Sequence, residues 1–190
     1  MTVSWLAAPA TPAWPTIPTD VPGTACLLGV PAGWELGDAP LDADGKQQGV
    51  TYLGTTPVEW LTVRHRTDQG EVSSLTSWVD VVLRTIGFPV IPPVDLAFQL
   101  PRLLSFTESG GDRDEDVRVR LGLDELHCYD GLAAWESHRL HLYVVLARRG
   151  DEDWHISLGL ESALMPGMPS ELTADDHERA GAVLGPLSLG

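Results

Sequence analysis

Residues 132–160 read LAAWESHRLHLYVVLARRGDEDWHISLGL, and this stretch decides the fold class. The run from Leu132 to Arg148 is the longest strand-like segment of the chain and has room for a bulge. Arg149-Gly150-Asp151-Glu152 interrupts it with turn residues, and Trp154-His155-Ile156-Ser157-Leu158-Gly159-Leu160 returns as a second strand, so the spacing predicts a hairpin. Hairpin strands pair antiparallel without a crossover helix, which points away from a βαβ array.

The same reading extends outward in both directions. Val117, Val119, Leu121 and Leu123 alternate with Arg118, Arg120 and Gly122, the period of a half-buried strand. Leu126 to Tyr129 reads as another strand that turns at Asp130-Gly131, and the polar run from Glu108 to Asp116 reads as a solvated hinge or hairpin tip. Downstream, Thr173 is placed to cap a final helix, with Asp175, Asp176 and Glu178 at the positive end of its dipole and Ala180, Val183 and Leu184 as its apolar stripe. Gly185-Pro186 ends it. In the first half, Ala25 to Val30, Gly33 to Leu36, Val50 to Leu53 and Val58 to His65 read as short strands, and Asp42-Ala43-Asp44-Gly45 as a turn. Leu75, Trp78, Val79, Val82, Leu83 and Ile86 then fall on one helical face, capped by Ser73 or Ser74 and stopped by Gly87 and Pro89. Strands, helix, strands, helix in that order make an α+β domain, expected over residues 24–190.

Two segments stand apart. Pro9, Pro12, Pro15 and Pro18 recur at the three-residue turn of polyproline II, so residues 1–23 read as an extended arm. Trp5 and Trp14 are too apolar for a free disordered arm, so it lies either on its own domain or in a partner's groove. Residues 87–107 carry all three phenylalanines, yet Pro92, Pro93 and Pro101 break any continuous element and leave a long loop or a short helix pair. Together with the polar run after it, this makes an apolar insertion at about 87–116. Such surplus must be buried, either in the domain's own core or against another molecule.

The chain has 190 residues, with 12 Lys+Arg against 27 Asp+Glu and a net charge of −15. That acidity argues against nucleic acid, where neutralised phosphates supply the affinity. No apolar run approaches the roughly 20 residues of a membrane span, and the first residues lack the positive region of a signal peptide, so a cytoplasmic location is expected. Two cysteines, Cys26 and Cys128, leave room for one bridge at most.

No catalytic motif is present: no G-x-S-x-G, Walker loop or G-x-G-x-x-G. In a strand, His138 and His141 face apart, as do His127 and Cys128, so neither pair chelates one ion without a bulge. A zinc site could only be assembled across strands, from Cys128 or His127 with His155. Asp112, Asp114 and Asp116 imitate a calcium loop, but Val117 and Leu123 stand where glycine and a bidentate Glu are required. No cofactor, metal or catalytic residue is therefore assigned.

The patterns at Pro31-Ala32-Gly33-Trp34-Glu35, at Asp130-Gly131-Leu132-Ala133-Ala134-Trp135, in the hairpin through Trp154 to Leu160 and in the closing helix before Leu187-Ser188-Leu189 resemble the PsbP/DcrB-like superfamily. The resemblance implies a curved antiparallel sheet with helices packed on it, in proteins that mostly bind other proteins. One branch it resembles, the Eag-type chaperones of type VI secretion, offers apolar grooves to effector helices. The expected function is a non-catalytic adaptor or secretion-associated chaperone that self-associates. Its partner contacts would centre on Phe98, Leu100, Leu103 and Phe106, with Trp5 and Trp14 from the arm. The alternatives are a structural subunit that uses the arm as a strap, and a small-molecule binder or enzyme in the sheet's concavity.

Overall fold

A computed structural model describes Leu6, residues 14–39, Gln47 and residues 49–56, 59–67, 102–109, 112–135, 138–161 and 174–190. The expected helix over 75–86, the turn at 42–45, and Trp5, Phe98 and Leu100 lie outside the described residues. No helix among the described residues is long and apolar enough to cross a membrane.

The described strands form two antiparallel sheets. The larger contains β3 (Glu35–Leu36), β4 (Gly49–Leu53), β5 (Trp60–Arg66), β6 (Arg102–Ser109), β7 (Glu125–Trp135), β8 (His138–Arg149) and β9 (Glu152–Glu161), in the order β3-β4-β5-β9-β8-β7-β6. The smaller contains β1 (Thr16–Val21), β2 (Cys26–Pro31) and β10 (Ser188–Leu189), in the order β1-β2-β10. The helices are α1 (Asp112–Leu121) and α2 (Ala174–Leu184). The class is antiparallel sheet with helices, as the hairpin at its centre requires: Arg149 pairs with Glu152 around Gly150, which has a φ of +57° that its missing Cβ permits.

One face of the large sheet holds the core. Tyr143, Val145 and Ala147 of β8, Trp154, Ile156, Leu158 and Leu160 of β9, and Leu61 and Val63 of β5 gather there with Leu28 and Val30 of β2 and Ala180, Val183 and Leu184 of α2. The small sheet and α2 therefore cover this face. Close approach of α2 to β2 depends on Gly29, where a Cβ would fall 2.4 Å from the Ala182 carbonyl oxygen. Trp154 adds a polar tie to the same junction, its indole N–H donating to the Thr24 carbonyl at 2.7 Å. The other face is buried too, at Trp60, Leu140, Leu142, Val144, Leu146 and His155. There the Trp60 ring lies against Gly159, whose register partner it is.

Five sequence expectations are corrected. Residues 112–121 are a helix, not an alternating strand with a hairpin tip before it. Asp114, Val117, Arg118 and Leu121 are buried or half-buried at helical spacing, whereas Val119 is 65% exposed. Arg118 pairs with Glu115 one turn back at 2.6 Å. The helix closes with a paired C-terminal motif: Gly122, at φ +64°, donates to the Val119 carbonyl, and Leu123 donates to the Arg118 carbonyl. Asp130-Gly131 does not turn, since β7 continues through it for 11 residues. The long run after Leu132 is two strands, because Trp135 pairs with His138 across a tight reversal.

Finally, Arg102–Ser109 is a strand rather than a loop or helix pair. Pro101 precedes its first residue, where a missing N–H costs the ladder nothing. The end of the proline arm is likewise a strand, β1, rather than polyproline II.

Candidate functional site

The described members of the expected partner-binding set fall in two places. Leu103 and Phe106 lie on β6, the last strand of the large sheet among the described residues. Successive strand residues alternate in face, so positions three apart should diverge. A register shift between Leu103 and Ser105 corrects the phase: Leu103 pairs with Ala133 and Phe106 with Gly131, two positions of one face. The bulge thus shifts the backbone register of β6 by one position between these two residues.

Trp14 packs inward. It is half-buried against the core, meets Trp34 edge-on at 6.1 Å and carries the Arg179 guanidinium 4.6 Å from its ring centre. Leu6 is buried in the same core at 1% exposure. These two described residues of the arm therefore rest on their own domain.

A polar cluster that sequence reasoning missed lies between α2 and the large sheet. Asp176 Oδ1 is 2.9 Å from His141 Nδ1, with both side chains buried. In sequence His141 stands near His138 alone, and no sequence period shows that a helix more than thirty residues downstream returns over β8. Tyr143, one residue pair further along the same face, is fully buried, and its ring meets His177 edge-on at 6.1 Å. Burial first, then the Asp176 and Asp130 carboxylates, hold the Tyr143 phenol far above its ordinary range. One turn further along α2, Arg179 donates to Glu59 at 2.8 Å and to the Glu161 carbonyl at 2.9 Å. Glu59 in turn accepts from the Glu161 N–H at 3.3 Å.

The strands also decide the metal geometry. Cys128 belongs to the core face, whereas His155 belongs to the opposite face, so those two do not converge. His127 and His155 share a face but flank Leu146 on successive strands, about 10 Å apart. Among the described residues no group of three His, Cys, Asp or Glu side chains is arranged to hold a metal ion. His155 is buried next to Arg64. Desolvation, then the Arg64 charge, push its pKa down to about 3. Neither cysteine is in a disulfide, and burial pushes the Cys26 thiol up to about 12.

No family model matches this chain, and no curated protein matches it either.

Proposed function

We propose that this chain is a non-catalytic protein-binding adaptor of PsbP/DcrB-like build, chaperone-like in service of a secretion system. One observation carries the reading: two apolar residues singled out as surplus, Leu103 and Phe106, belong to β6, which ends the large sheet among the described residues. A strand at a sheet's end presents backbone groups to whatever docks beside it, and apolar neighbours give that contact its free energy. The charge of −15 favours a second protein of opposite sign over a second copy. The test is capture of the partner from the native host with wild type and with a Leu103→Ser/Phe106→Ser double variant. Loss of the partner with an unchanged circular-dichroism spectrum supports the reading. Full retention, or collapse of the fold, overturns it.

A second reading, a small-molecule binder or enzyme, draws on the imidazole and carboxylate groups gathered at His141, Asp176, Tyr143 and His177. A stoichiometric thermal-shift hit that Asp176→Asn abolishes would support it.

A further inference from the structure

We infer that β6 takes an added strand, antiparallel to it, from an extended segment of a basic partner whose cationic residues lie at that segment's N-terminal end. This rests on the adaptor reading and specifies its mode and its partner's chemistry. The first argument is elimination among the sheet edges. Among the described residues the small sheet ends on β1 and β10, and the large sheet on β3 and β6. Two of these, β3 and β10, are two residues long.

The edge of β1 is blocked. Ala32 N–H donates to the Pro15 carbonyl at 3.4 Å, which sets the phase of the β1–β2 ladder. Odd-numbered residues of β1 bond to β2, and even-numbered residues turn their backbone groups outward. Pro18 is even-numbered, so the middle of that outer edge has no donor. β6 remains, with eight residues and no described strand beyond it. Its bulge confines regular pairing to Ser105–Ser109, five residues that match Leu132 to Cys128 without interruption.

The second argument is charge. In sequence, Glu108, Asp112, Asp114 and Asp116 flank the Ser109 end of β6 with Arg113 among them and Glu115 paired to Arg118, whereas Arg102 begins the strand. An antiparallel addition places the incoming N-terminus beside Ser109. Positive residues there are attracted, and at the opposite end they meet Arg102. Every pairing in the large sheet is antiparallel, so the added strand continues the existing pattern.

The full chain is titrated with a fluorescent peptide Lys-Lys-Val-Thr-Val-Thr-Val, its reversed sequence Val-Thr-Val-Thr-Val-Lys-Lys, and a copy of the first with alternate amides N-methylated. The forward peptide is expected to bind about tenfold or more tightly than the methylated one, because N-methylation removes two or more ladder bonds. It should also bind more tightly than the reversed one. Hydrogen exchange of the backbone amides in 105–109 should slow on binding while that in 16–21 does not. Equal affinity of the forward and methylated peptides, or protection outside 105–109, overturns the inference. So does pairing of β6 with a second copy in the unliganded protein. Partner capture that depends on Leu103 and Phe106, but leaves exchange in 105–109 unchanged, sinks the added strand and leaves the adaptor reading standing.

Discussion

His155 shows how one buried imidazole sets a pH limit on the whole chain. Its folded pKa of about 3 lies below the ordinary histidine value because burial and the Arg64 charge oppose protonation. Unfolding returns the ring to water, where it binds a proton below about pH 6.5. The unfolded state therefore binds more protons between the unfolded and folded values, and stability falls with acid across that window at up to about 1.4 kcal/mol per pH unit. His155→Gln does not titrate there, so its urea midpoint should fall less steeply from pH 6.5 towards 4; parallel profiles would show that other groups set the acid limb. Cys26 gives a second residue-scale expectation. With its thiol pushed up to about 12, the thiolate is scarce at pH 8, and alkylation by iodoacetamide in the native state should lag that of the urea-unfolded chain by orders of magnitude. Comparable rates would mean that Cys26 is not sealed.

Helix α2 depends on two polar contacts one turn apart, His141–Asp176 and the Glu59–Arg179 ion pair. Glu59 is the more buried partner of the second pair, its side chain 6% exposed against 26% for Arg179. Removing the cation leaves a carboxylate stranded out of water, whereas neutralising the carboxylate leaves a more exposed guanidinium that water can reach. Arg179→Met should therefore cost about 3 kcal/mol, and Glu59→Gln clearly less, by urea denaturation at neutral pH. Equal costs would mean that Glu59 is solvated.

The element scale is also where the sequence was most and least legible. The hairpin from β8 to β9 and the α2 helix follow from turn residues and spacing alone, because every cue in them agrees. Helix α1 was hidden because Val117, Val119, Leu121 and Leu123 satisfy period two by coincidence. Leu123 lies past the helix, and Val119 is on its solvent side. The informative signals were the acidic first turn, the Glu115–Arg118 spacing and Gly122 as a helix stop. The arm misled differently: a proline that forbids a central strand is permitted, even favoured, on an edge. The polar cluster around His141 was not legible at all, since it forms only when α2 returns over a strand more than thirty residues earlier.

For the whole molecule, the pattern of sheet edges decides what can associate with it. Among the described residues two antiparallel sheets present four edges, each able to pair with another copy unless something prevents it. Short strands do this at β3 and β10, a bulge shortens β6, and β1 is protected by one residue. Beside Pro18, Ile17 is 60% exposed, so the edge of β1 would be an apolar one if its central donor were restored. Pro18→Val supplies that donor in a β-branched residue while leaving the odd-numbered bonds to β2 untouched. The variant should keep the wild-type circular-dichroism spectrum and self-associate at concentrations where the wild type does not, measured by sedimentation velocity. Introducing Leu103→Ser and Phe106→Ser into it should leave that association intact, because the new contact lies on the other sheet. A variant that sediments like wild type would mean that the net charge of −15, rather than the proline, keeps copies apart. Raised salt would then induce association in both proteins alike, since screening removes the repulsion without altering the edge.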